Sequence, residues 1–253
     1  MFRHLAKVLP PVGVAVGRFD RRGYDVPLDD QADDALAFVS ELEVRPDIDA
    51  SHIGLWGFSQ GAWVAPLAAS RSKKVAFLVL LASTGVTPAE QMQYGTAKHV
   101  RMAGYGEDAA GRVVELRQLV DEWRRGRVPI ERAQAELDRA RREPWFEQAY
   151  LPERLSAAKA WPDMDFEPAE VFAKVTVPVL LFYGEDDEWQ PIDASVAAWR
   201  RAAERAGNAD LTIVRLAGTG HAPTIGDLET VDAVAPEYER ALLEWLRRVA
   251  RLG

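Results

Sequence analysis

Val75-Ala76-Phe77-Leu78-Val79-Leu80-Leu81-Ala82 is an eight-residue run without a single polar side chain. A strand with one wet face alternates apolar and polar residues, whereas a strand covered on both faces does not. The run is too short for a typical buried helix and therefore predicts a strand with helices on either side. His52-Ile53-Gly54-Leu55-Trp56-Gly57-Phe58 and Val177-Pro178-Val179-Leu180-Leu181-Phe182-Tyr183 read the same way. Val12–Phe19 and Asp210–Leu216 are two further strand candidates, which makes five.

Helical patterns separate these runs. Asp29 or Asp30 can cap a helix to about Glu43, with Ala32, Ala35, Leu36 and Val39 on one face. Ser59–Ser70 is a second helix, and Ile192–Ala206 a third, stopped by Gly207-Asn208. Pro236 suits the first position of a last helix running to about Ala250. Alternation of this kind predicts βαβ units and a doubly wound, mostly parallel α/β sheet. From Thr87 to Lys174 no strand is predicted. The stretch reads as helices near Ala89–Met102, Asp108–Arg125, Pro129–Arg142 and Pro152–Lys159. Its aromatic residues Trp123, Trp145, Phe146, Tyr150 and Trp161 are expected mainly to pack the insertion, with some able to line a pocket.

Composition narrows the function classes. With 48% apolar and 28% charged residues over 253 positions, the chain has material for a core. Zero cysteines exclude disulfides, thiolate metal sites and cysteine nucleophiles. A net charge of −8 argues against nucleic acid as a partner. No apolar run approaches the ~20 residues of a membrane span, and Pro10-Pro11 interrupts any leader-like stretch, so a cytoplasmic location is expected.

Gly57-Phe58-Ser59-Gln60-Gly61 matches G-x-S-x-G, between a predicted strand and a predicted helix. A serine there sits on a tight turn, with its hydroxyl above the carboxyl edge of the sheet and beside a helix N-terminus. Such a nucleophile needs a base, and the base needs an orienting acid. Of four histidines (His4, His52, His99, His221), only His221 follows a late strand on a loop. The acid is expected after the strand ending at Tyr183, where Glu185, Asp186, Asp187 and Glu188 all offer carboxylates.

These stretches resemble the α/β-hydrolase fold serine hydrolases, with dienelactone-hydrolase-like and serine-aminopeptidase-like enzymes as the nearest groups. Phe19-Asp20-Arg21-Arg22-Gly23 with Ile53–Gly61 is similar to the family's D-x-R-G loop and nucleophile strand. Pro178–Asp187 looks like its acid strand, in which the acid lies three residues after the glycine and four before a proline; this favours Asp187 over Asp186. The resemblance implies a triad of Ser59, Asp187 and His221, an oxyanion donor at the Gln60 N–H, no cofactor or metal, and a small-molecule acyl substrate. It implies core parts at 1–86 and 175–253 and a helical cap at 87–174. Arg101 and Arg141 could bind a carboxylate but are expected to be surface charges, and Asp20, Arg21 and Arg22 to be structural.

The family core has eight strands, and the first three have no counterpart in this sequence, nor does the loop that carries a second oxyanion donor. A truncated chain is the expectation. An open sheet edge could favour a homodimer. The alternatives are a noncatalytic binding protein of the same fold, or an acyltransferase or cyclase using the same serine.

Overall fold

The computed structural model describes residues 1–23, 26–156, 161–225 and 234–250. The chain divides into two compact units: Met1–Val86 with Glu167–Asp187 and Ile192–Gly253, and Thr87–Phe166 with Glu188–Pro191.

The first unit is built on a parallel sheet of β1 (Gly54–Phe58), β2 (Phe77–Leu81), β3 (Val179–Gly184) and β4 (Leu211–Leu216), hydrogen-bonded in that order. Its helices are α1 (Phe2–Val8), α2 (Leu28–Glu43), α3 (Gly61–Arg71), α7 (Pro168–Phe172), α8 (Ile192–Ala206) and α9 (Pro236–Val249). α3 crosses over from β1 to β2, and α8 from β3 to β4. Every residue of β2 and β3 is buried, as their unbroken apolar sequences require. Phe77, Val79, Leu81, Leu180, Phe182 and Leu216 pack in one cluster with Leu5 and Leu9 near α1 and with Tyr238, Leu242, Trp245 and Leu246 of α9. On the opposite face, Tyr183 donates from its hydroxyl to the Ser83 carbonyl at 2.7 Å, and Trp199 Nε1 donates to Ser83 Oγ at 3.0 Å. Phe172 stacks on Trp199 at 3.8 Å between centroids.

The strand expected at Val12–Phe19 is not one. Residues 14–20 belong to no strand among the described residues. Val14 and Val16 pack toward the core cluster, while Ala15 and Gly17 are exposed. The alternation is that of an extended chain; the ladder is missing because no neighbouring strand supplies it. The caps expected at Asp29 or Asp30 are also displaced: Pro27 is the N-cap of α2, and both aspartates lie in its first turn, favourable to the helix dipole.

The second unit is helical among its described residues: α4 (Pro88–Met102), α5 (Glu107–Arg124), α6 (Ile130–Ala140) and a 3₁₀ turn at Phe146–Ala149. Val100, Val113, Leu116, Leu137 and Trp145 form its core. α4 opens with a capping box: Thr87 Oγ1 accepts from the Glu90 N–H at 3.2 Å, and Glu90 Oε2 accepts from the Thr87 N–H at 2.9 Å. The helix expected at Pro152–Lys159 is absent from 152–156; residues 157–160 lie outside the described residues. Trp145 is buried and Phe146 packs on the same core, as expected of packing aromatics. No helix among the described residues is long and apolar enough to cross a membrane.

Candidate active site

Ser59 follows β1 directly and has a φ of +54°, a left-handed conformation that a non-glycine residue adopts at a cost of about 1–3 kcal/mol. Two features hold it there. The Ser59 N–H donates to the Leu81 carbonyl at 3.0 Å, extending the β1–β2 ladder by one bond. The Ser59 carbonyl accepts from the Ala62 N–H at 2.9 Å, opening α3. The chain must therefore turn from strand to helix within one residue. Gly57 permits this: a Cβ on it would sit 2.3 Å from the Gly61 carbonyl oxygen. Gly61 itself has nothing within 4 Å of an added Cβ.

His221 and Asp187 are brought together by backbone. Gly184 ends β3 against the loop after β4, where a Cβ would lie 2.0 Å from the Gly220 carbonyl oxygen and 2.5 Å from that of Thr219. The Glu185 N–H donates to the Leu216 carbonyl and the Asp186 N–H to the Thr219 carbonyl, both at 3.0 Å. The two turns are thus zipped edge to edge. Asp187, fully buried, lies 3.1 and 3.0 Å from His221 Nδ1 through its two carboxylate oxygens. Glu185 and Asp186 are exposed. With its proton on Nδ1, His221 donates to Asp187 and leaves Nε2 as a base. Its ring lies 5.0 Å from that of Phe58, the residue before Ser59.

Because the strands are parallel and Phe58 is in register with Leu81, and Leu81 with Phe182, the ends of β1, β3 and β4 share one edge of the sheet. Ser59, Asp187 and His221 all follow those ends. Among the described residues, however, Ser59 Oγ and His221 are not hydrogen-bonded to each other. The Gln60 N–H donates to no backbone carbonyl among the described residues. Its side chain accepts from Arg21 Nη1 at 2.5 Å, which ties the D-x-R-G loop to the turn. Arg22 pairs with Asp34 at 2.7 Å and donates to the Asp30 carbonyl. Arg101 pairs with Glu107, and Arg141 with Glu153, as surface charges do.

Sequence reasoning missed Phe58 as a neighbour of His221, the Arg21–Gln60 bond, and Thr219 as the acceptor that seats the acid turn. A signal existed only for the last, in the glycines Gly184, Gly218 and Gly220, which permit a close backbone approach.

The model of the Alpha/beta hydrolase family matches residues 2–237. Among solved structures, an esterase of Pyrococcus furiosus aligns with a TM-score of 0.59 at 18% identity, over 99% of this chain and 75% of its own. DcsB, solved with its substrate analogue, aligns at 0.53 and 18% identity, over 96% and 85%. BpoC of Mycobacterium tuberculosis aligns at 0.52 and 18% identity, over 98% and 88%. A search of curated proteins finds no match. Strand order, helical crossovers and the family match agree: the chain belongs to the alpha/beta hydrolase family and is an enzyme of the hydrolase type.

Proposed function

We propose that the protein hydrolyses a carboxylic ester, thioester or amide of a small molecule through a Ser59–His221–Asp187 triad. One observation carries the reading: a serine strained to φ +54° follows β1 on the sheet edge where the buried Asp187 meets His221 at 3.0 Å. Strain at a half-buried serine, together with a pre-oriented imidazole, is what nucleophilic catalysis asks of these groups.

Ser59 Oγ attacks the carbonyl carbon as His221 Nε2 takes its proton. The oxyanion is received by the Gln60 N–H, held at the start of α3. His221 then gives the proton to the leaving oxygen, sulfur or nitrogen, and the carbon–heteroatom bond breaks to leave an acyl-enzyme. Water attacks the acyl carbon as His221 Nε2 takes its proton; the bond from that carbon to Ser59 Oγ then breaks, His221 returns the proton to Oγ, and the carboxylic acid leaves. Asp187 fixes the imidazole tautomer and balances its charge throughout. Serine–histidine contacts are commonly loose before substrate binds, which suits the open Ser59–His221 pair.

Labelling with a fluorophosphonate, read by intact mass and peptide mapping, tests the reading. One adduct on Ser59 in the wild type, none in Ser59→Ala, and a rate lowered on the order of 10⁴ in Asp187→Asn are expected. No adduct on a folded wild-type chain would replace this reading with a noncatalytic binding protein. An acylated product in place of free acid would make it a transferase or cyclase.

A further inference from the structure

β4 is the last strand of its sheet among the described residues. Its neighbour β3 occupies only half of its backbone groups. The Asp210 and Leu216 carbonyls accept from the Val179 and Glu185 N–H groups at 2.9 and 3.0 Å. In a parallel ladder every second residue turns both its N–H and its carbonyl to the same neighbour, so Thr212 and Val214 also face β3. The N–H and carbonyl groups of Ile213 and Arg215 then point outward along the edge of the sheet. An edge of this kind is a template for one more strand.

A groove of about 520 Å³ runs beside that edge, between β4 and α8, within the first compact unit. α8 returns from the end of β3 to the start of β4 and so runs antiparallel to β4. The groove therefore has an order. At one end Arg215 donates from Nη2 to Asp193, in the first turn of α8, at 2.9 Å. Half-buried Val196, Ala197 and Ile213 line the middle. Arg200 and Arg201 stand at the other end, both exposed. Neither makes a hydrogen bond or an ion pair among the described residues. A charge on an edge strand is a common guard against unwanted pairing, and Arg215 fits that role. Arg200 and Arg201 do not: they belong to the helix layer, and flank the edge rather than interrupt it.

The dimensions match an extended chain. From Asp193 to Arg201 the helix rises by about 12 Å. A strand covers that in about four residues and turns every second side chain to one face. A strand added to β4 thus sets three side chains along the groove: one at Arg200 and Arg201, one over Val196 and Ile213, one at Arg215. The first position suits a carboxylate and the second a β-branched aliphatic group. The third, where Asp193 already neutralises the arginine, suits a polar group. The apolar middle and the outward backbone groups select a peptide over a nucleic acid. A second copy of β4 is disfavoured, because two-fold pairing would line up like arginines along one seam. We propose that the α8–β4 groove binds an extended acidic segment of a partner protein, which adds to β4 as a strand and sets a carboxylate at Arg200 and Arg201, with a β-branched side chain two residues away. The site is independent of the triad reading.

The probe is the peptide fluorescein-Thr-Glu-Thr-Val-Thr-Glu-Thr-amide, which sets Glu, Val and Glu on one face and reads alike in either chain direction. Fluorescence anisotropy with the whole chain should show saturable binding with a Kd below about 1 mM, weaker as salt rises. Replacing both glutamates by lysine should weaken it at least about 10-fold through lost charge pairing. N-methylating the valine and the residue after it should do the same, because one ladder bond is lost in either register. Arg200→Glu with Arg201→Glu should lose the acidic peptide and gain the lysine one, a swap that damage to the fold does not produce. Both side chains are exposed, so this double variant should fold and label at Ser59 as the wild type does. Hydrogen exchange at the Ile213 and Arg215 N–H groups should slow when the acidic peptide is bound. Absence of binding at that concentration, or binding that the double charge reversal leaves unchanged, would overturn the proposal. An N-methylated peptide that binds as well as its parent would also overturn it, leaving a charged patch without strand addition. Protection of the same two N–H groups by self-association of the wild type would replace the partner segment with a second copy.

Discussion

Gly57 and Gly61 flank the same serine and have opposite surroundings. A Cβ on Gly57 would meet the Gly61 carbonyl at 2.3 Å, which is backbone and cannot swing aside, whereas a Cβ on Gly61 meets nothing. Gly57→Ala should therefore open the turn, lower stability by about 1–3 kcal/mol and abolish labelling of Ser59. Gly61→Ala should keep the turn and gain up to about 1 kcal/mol from helix propensity at the start of α3. Thermal unfolding and labelling of the two variants side by side check this, and equal damage from both would refute it. The pair also shows what was legible at this scale. A serine between glycines after an apolar run is a local pattern, so the strand-to-helix turn at position 59 could be read from residues alone. At 185–188 four carboxylates crowd, and Asp187 was favoured only by resemblance, through its spacing from Gly184 and Pro191. Asp187 is the one that meets His221, where the Gly184 turn approaches Gly220 and Thr219, a contact between segments over thirty residues apart.

Elements followed their period wherever they were buried on both faces. β2 and β3 read directly from continuous apolar sequence. Val12–Phe19 is largely apolar too, though with Arg18 and two glycines, yet residues 14–20 form no strand. Pairing depends on a neighbour that no local pattern reveals, and the segment is extended without one among the described residues. The difference is energetic and testable. Leu80 is fully buried in β2, so Leu80→Ala should cost about 2–5 kcal/mol. Val16 is half-buried in the unpaired segment, so Val16→Ala should cost under about 1 kcal/mol. Denaturant unfolding of both separates the cases, and a Val16→Ala cost matching that of Leu80→Ala would mean the segment is paired after all. The start of α4 was legible near Thr87, where a capping box opens the helix. The approach of Trp189 to Gly95 was not, because it joins residues more than ninety positions apart.

At the scale of the whole molecule, each unit carries a half-buried histidine that resists protonation. His4, in the first, is held below its ordinary value of 6.5, first by burial and further by the chain's amino terminus and Lys7, while Glu239 opposes the shift. Its Nε2 lies 3.2 Å from Glu239 without hydrogen-bond geometry, so the carboxylate offsets burial only in part. His99, in the second, is lowered by burial first and by Lys98, against Glu188. The sign follows from proton counting. Between the folded values and 6.5, the unfolded chain binds more protons than the folded one, so stability rises with pH across that window. The contribution is complete above about pH 6.5 and is lost as pH falls through the folded values; carboxylates such as Asp165 and Asp210, held low by Arg125 and Arg248, act only further down. Unfolding free energy measured in denaturant should thus be flat from pH 8 to about 6.5 and decline toward pH 5. His4→Gln and His99→Gln should each flatten that decline. Because the two histidines lie in different compact units and share no partner, their effects should add in the double variant. A decline of the same slope in the double variant would show that neither histidine drives it. A flat wild-type profile down to pH 5 would show that both protonate as readily folded as unfolded, against the burial that surrounds them.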